Sequence, residues 1–95
     1  MAAYLISEVE ITDPKGYEEY RKLAGGSLQK YGGEFIVRGG NSAVLEGDWT
    51  PKRLVVCRFD SMQKLREWYD SPEYRKAIAV RQKTAKARII AVEGV

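Results

Sequence analysis

Two arginines break into otherwise apolar, strand-like runs: Arg38 closes the run EFIVR and Arg58 lies within RLVVCRF. A guanidinium placed this way needs a carboxylate, a phosphate or carbonyl oxygens wherever it is even partly buried. One reading is structural, with Arg58 paired to Glu8 across neighbouring strands or a dimer axis, and Arg38 paired to Glu46 or Asp60. The other is functional, with one or both holding a small anion such as a carboxylate through bidentate bonds. Glu46 and Trp49 stand where the second strand runs into a turn. A carboxylate desolvated beside an indole can serve as a general base, and the plainer reading is an ion-pair partner beside a loop anchor. Trp68, Tyr69 and Tyr74, with Tyr17 and Tyr20 opposite, can line a pocket between helices and sheet or simply form core, although a buried phenol seeks a polar partner. The candidate ligand-binding set is therefore Arg38, Glu46, Trp49, Arg58 and Tyr69, with no residue assigned as catalytic.

Composition narrows the chemistry. The 95 residues carry 16 basic and 13 acidic side chains, a net charge of +3, and no histidine. Without histidine there is no imidazole-ligated haem, no Cys/His zinc site and no His-dependent nucleophile, so neither a metal nor a cofactor is expected. The basic residues are dispersed, which argues against nucleic-acid binding. The one local excess, Arg75, Lys76, Arg81, Lys83, Lys86 and Arg88, reads as a solvated helix face. Cys57, the single cysteine, sits in an apolar strand and reads as an inert thiol in a reducing cytoplasm. Neither a secretory signal nor a membrane-spanning run is visible. The glycine pairs do not match a phosphate-cradling loop, which needs a strand–glycine loop–helix order.

The elements that must position these residues follow from periodicity. Residues 3–11 alternate as a first strand. Asp13 before Pro14 marks a helix start, and Tyr17, Tyr20, Ala24, Leu28 and Tyr31 form its apolar stripe. Gly25-Gly26 predicts a kink in it, since each glycine costs about 1 kcal/mol relative to alanine. A second strand runs from Glu34 to Arg38, with Gly39-Gly40 as a bend or bulge, after which residues 43–46 can resume the strand. A third strand spans Arg53 to Phe59. Ser61 and Ser71 cap two short helices, and Lys86 to Glu93 forms a last strand.

This β-α-β-β-α-β order predicts one domain over residues 1–95, of the α+β class, with a ferredoxin-like four-stranded antiparallel sheet and helices on one face. Alternation assigns Leu5, Val9, Phe35, Val37, Val55, Cys57, Phe59, Ile89 and Ala91 to the helix-covered face. The opposite face takes Tyr4, Ile6, Ile36, Leu54, Val56, Ile90 and Val92, together with Glu8, Arg38, Arg58 and Arg88. That is a larger apolar patch than soluble monomers usually expose, and it predicts a homodimer packed sheet to sheet.

Assembled, these features resemble the small bacterial family known as domain-of-unknown-function family 1330, within the dimeric α/β-barrel superfamily. The resemblance is carried by Tyr31-Gly32-Gly33, Val37-Arg38-Gly39-Gly40, Leu45-Glu46-Gly47 with Trp49 and Pro51, Phe59 before Ser61, Trp68-Tyr69, Ser71-Pro72-Glu73-Tyr74, Arg81 and Val92-Glu93-Gly94. It implies a ferredoxin-like subunit that dimerises through its sheets, and no particular activity. The wider superfamily holds cofactor-independent oxygenases of polycyclic phenols, haem enzymes and ligand-binding modules, and fold does not choose among them. The leading expectation is a homodimer that binds a small anionic or aromatic metabolite between helices and sheet. The alternatives are a cofactor-independent oxygenase or isomerase with Glu46 as base, and a dimerisation module without ligand.

Overall fold

A computed structural model describes all residues from 1 to 95. The chain forms β1 (Ala3–Ile11), α1 (Pro14–Lys30), β2 (Glu34–Arg38), β3 (Arg53–Phe59), α2 (Met62–Tyr69), α3 (Pro72–Thr84) and β4 (Ala85–Glu93). The strands make one sheet in the order β2-β3-β1-β4, with every neighbouring pair antiparallel. The expected ferredoxin-like architecture is present.

Each helix begins where its sequence says it should. The side chains of Asp13, Ser61 and Ser71 accept hydrogen bonds from the backbone N–H groups of Gly16, Lys64 and Tyr74, and α1 and α3 each open on a proline. These caps satisfy donors that the first helical turn leaves free. The expected kink at Gly25-Gly26 is absent, because α1 runs unbroken from Pro14 to Lys30. Ala24, Ser27 and Leu28 are buried on either side of the glycine pair, and that packing outweighs the pair's low helix propensity.

The core lies between the helices and one face of the sheet. Ala3, Leu5, Cys57 and Phe59 from the strands meet Ala24 and Leu28 of α1, Leu65 and Trp68 of α2, and Tyr74, Ala77 and Ile78 of α3. Gly33 permits a close approach, since a Cβ there would lie 2.6 Å from Leu28 Cδ1 and 2.7 Å from the Phe59 ring. The other face has no helix. Ile6, Ile36, Val37, Ile90 and Val92 all remain exposed.

The β2 register corrects two expectations. Phe35 pairs with Cys57, but Val37 pairs with Val56 and Arg38 with Val55, so the ladder slips by one residue at Ile36. A bulge inserts an extra residue and inverts the facing of all that follows, and edge strands such as β2 favour one. Val37 therefore shares the open face with Val56, and Arg38 turns onto the helix-covered face with Val55. Residues 43–46 also do not resume a strand. The segment from 40 to 50 has no strand or helix and is exposed throughout.

Candidate functional site

Between α1, α3 and the sheet lies a cavity of about 340 Å³. Its floor is Ser7 of β1 with Val55 and Cys57 of β3, and its walls include Tyr17, Tyr20 and Ala24 of α1, Trp68 of α2 and Tyr74 of α3. Alternation places the floor residues on one side of their strands, and helical spacing stacks Tyr17, Tyr20 and Ala24 above them. Four arginines also line it, Arg21, Arg38, Arg53 and Arg81, with no aspartate or glutamate among the lining residues.

These arginines differ in how their charge is met. Arg21 reaches Glu18 at 3.4 Å and lies over the Tyr17 ring. Arg38 stacks 4.8 Å from the centroid of Phe35. Arg53 is half-buried, and its Nε is a buried donor without a partner. Gly39 makes room for it by adopting a φ of +72°, so that the guanidinium passes where a side chain would stand. Arg81 is only 8% exposed, and its Nη1 donates to the Tyr74 hydroxyl at 2.7 Å. None of Arg38, Arg53 and Arg81 joins an ion pair in the structure.

The phenols form the other half of the site. Tyr74 is 1% exposed and its hydroxyl lies 2.8 Å from that of Tyr20. Burial, reinforced by the neighbouring Tyr20, pushes the Tyr74 phenol far above its usual range. Tyr17 is raised by burial and by Tyr20, against the pull of Arg53, Arg21 and Arg81. Burial lowers the affinity of Arg81 for its proton, but the flanking phenols of Tyr74 and Tyr20 more than offset this and hold it charged. Burial also pushes the Cys57 thiol up to about 12, which makes it unreactive at neutral pH. The cavity therefore presents neutral phenols and cationic guanidinia, a set able to donate hydrogen bonds to an anion and poorly able to remove a proton.

Of the five residues proposed from sequence, the structure brings only Arg38 to this cavity. Its expected partners Glu46 and Asp60 do not reach it, because the bulge turns it to the opposite face. Arg58 stays on the open face and pairs with Asp60 at 3.2 Å and Glu34 at 3.8 Å, not with Glu8. Glu8 is instead a tie between the sheet and the 40–52 loop: it accepts from Arg88 Nε at 3.0 Å, from the Lys52 backbone N–H at 3.1 Å and from Trp49 Nε1 at 3.3 Å. Trp49 is thus a loop anchor, although on the open face and 55% exposed, and Glu46 is exposed without a hydrogen bond. Tyr69 lines a separate, shallower groove with Leu65, Arg66 and Ile90, and Arg75 stacks over its ring.

Arg53 and Arg81 were missed, and both had a signal. Arg53 shares the parity of Val55, Cys57 and Phe59, which marks the covered face. Arg81 stands seven residues after Tyr74 and three after Ile78, on the buried stripe of α3 and not on its solvated face.

A family model described as a domain of unknown function, DUF1330, matches residues 2–95. No curated protein matches the chain in sequence. Among solved structures, a protein of unknown function from Rhodopseudomonas palustris superposes with a TM-score of 0.78 at 20% identity, covering 99% of this chain and 82% of that one. A protein from Jannaschia sp. CCS1, described as a dimeric ferredoxin-like protein of unknown function, gives 0.73 at 15% identity, with 99% and 100% of the two chains covered. SnoaB, a cofactor-independent oxygenase from Streptomyces nogalater, gives 0.67 at 9% identity, with 99% and 93% covered. At these identities the likeness is one of fold.

Proposed function

Since this chain belongs to DUF1330, a family whose description names no activity, its role has to be read from its own cavity, and we propose that it binds a small, apolar or aromatic carboxylate between helices and sheet. One observation carries this reading: Arg38, Arg53 and Arg81 line a largely apolar cavity that has no acidic residue. Arg81 is buried, Arg53 is half-buried with its Nε unpartnered, and Arg38 is exposed at the cavity's edge. A desolvated cation without a counter-charge is costly, and a ligand carboxylate would relieve that cost while its apolar body fills the remaining space. A cavity of about 340 Å³ falls at the small end of ligand pockets and suits roughly one or two rings.

The alternative of a cofactor-independent oxygenase or isomerase required Glu46 as base. Glu46 lies in the exposed loop, and the cavity is lined by no carboxylate, while its buried phenols hold their protons. Binding accordingly ranks above turnover, and no cofactor is assigned to the site.

The binding unit we propose is a homodimer joined through the open sheet face. Exposed Ile6, Ile36, Val37, Ile90 and Val92 form the patch that a second copy would cover, and structural neighbours from Jannaschia sp. CCS1 and Thermobifida fusca are described as dimeric. No helix is long and apolar enough to cross a membrane, and the free, buried Cys57 suits a reducing cytoplasm.

The test is a thermal-shift screen of small carboxylic acids and their neutral amides against the wild type, Arg38→Leu and Arg53→Leu. Acids at about 100 times Kd should stabilise the wild type by about 2.7 kcal/mol, an increase of several degrees in Tm. Both variants should lose that response. Amides that match their acids, or variants that keep the full shift, would overturn the reading.

A further inference from the structure

The hydrogen-bond chain at the helix side of the cavity has only one consistent direction. A guanidinium can donate and cannot accept, so the Tyr74 oxygen accepts from Arg81 Nη1 at 2.7 Å. Tyr74 then has its own proton left to place. It is 1% exposed, and the Tyr20 hydroxyl at 2.8 Å is its only other hydrogen-bond partner. If Tyr20 were the donor, the Tyr74 proton would be buried without an acceptor, at a cost of about 1–3 kcal/mol. The chain therefore runs from Arg81 to Tyr74 to Tyr20, and the Tyr20 proton is left over. Tyr20 is half-buried on the cavity wall and donates to no other group.

From this proton count we infer that the Tyr20 hydroxyl is a specificity-determining donor, and that the ligand carries an oxygen acceptor separate from its carboxylate. The ligand class is thus an oxo-, alkoxy- or hydroxy-substituted carboxylic acid. This rests on the carboxylate-binding reading and adds a second point of recognition to it. Arg38 and Arg53 enter from β2 and β3 and supply the charge, while Tyr20 enters from α1 and reads a neutral oxygen. A cation at the head of the chain polarises both phenols and makes Tyr20 a stronger donor than an isolated tyrosine. An analogue lacking the acceptor oxygen would leave that donor unpaired, which is how a polar site rejects an isostere.

Calorimetry with the ortho, meta and para isomers of acetylbenzoate, each against the corresponding isopropylbenzoate, tests this directly. The wild type should bind at least one acetylbenzoate about tenfold or more tightly than its isopropyl partner. Tyr20→Phe should erase that preference, by weakening acetylbenzoate binding, by tightening isopropylbenzoate binding now that no donor is left unpaired, or by both. Equal binding of each pair by the wild type, or a preference that survives Tyr20→Phe, would overturn the inference and leave carboxylate binding standing. If none of the six acids binds, both readings fall. A ligand-free measurement covers the case of a poorly folding variant: hydroxyl-proton exchange by NMR should show the Tyr74 proton protected and the Tyr20 proton exchanging faster. The reverse order would overturn the inferred direction.

Discussion

Gly39 and Arg53 compete for one volume: a Cβ on Gly39 would lie 2.0 Å from Arg53 Nη1. The glycine also holds a φ of +72° and donates its N–H to the Leu54 carbonyl at 2.8 Å. The end of β2 thereby sets where a cavity arginine points.

Gly39→Ala should for this reason cost stability and ligand response together. The left-handed backbone costs an alanine about 1–2 kcal/mol, and the new methyl displaces the guanidinium. Chemical denaturation should report the first and a carboxylate thermal shift the second. Gly40→Ala is the control, since a Cβ there meets nothing within 4 Å, and it should leave the ligand response intact.

Gly25 and Gly26 lie in the middle of α1, and a Cβ at either meets nothing within 4 Å. Gly25→Ala and Gly26→Ala should each stabilise the fold by about 0.5–1 kcal/mol, seen as a higher denaturant midpoint at unchanged slope. Destabilisation by either would mean that the helix needs the pair for a bend.

Glu8 has its carboxyl held below the usual carboxylate range, first by its hydrogen bond from Arg88 and then by those from the Lys52 backbone and Trp49. Because the folded pKa is depressed, the unfolded chain takes up protons first on acidification. The stabilisation is complete above the ordinary value of 4.5 and is lost as pH falls through the lowered folded pKa. Glu8→Gln should flatten that part of the acid limb. It should also release the loop at Trp49, so tryptophan fluorescence should shift at neutral pH.

Ile6 pairs with Val56 on one side and Ile90 on the other, at the middle of the uncovered sheet face. Ile6→Asp should convert a species of twice the chain mass into one of the chain mass by light scattering. A wild type that is already monomeric at micromolar concentration would contradict the proposed dimer.

Where a local rule acted alone, the fold was legible in the sequence. Proline after Asp13 and Ser71 marked two helix starts, and alternation in β1, β3 and β4 separated the two sheet faces correctly. It failed in β2, because the bulge falls at Ile36, a residue with no turn signal, and the double glycine that drew attention lies beyond it. Residues 43–46 are apolar enough to resume a strand, but the sheet ends at β2 and offers them no partner. The site suffered accordingly. Charge singles out Arg38 but simple alternation puts it on the wrong face, and Arg81 reads as one of a run of basic residues although its helical position marks it as buried.

The central claim is that this cavity selects for negative charge, and competitive calorimetry with benzoate, benzamide and benzylamine measures it most directly. The three share a ring and differ in charge at one substituent. The account predicts benzoate binding at least about tenfold tighter than benzamide, no detectable benzylamine binding, and loss of the difference in Arg53→Leu. Equal affinity for benzoate and benzamide, or measurable binding of the amine, would contradict it.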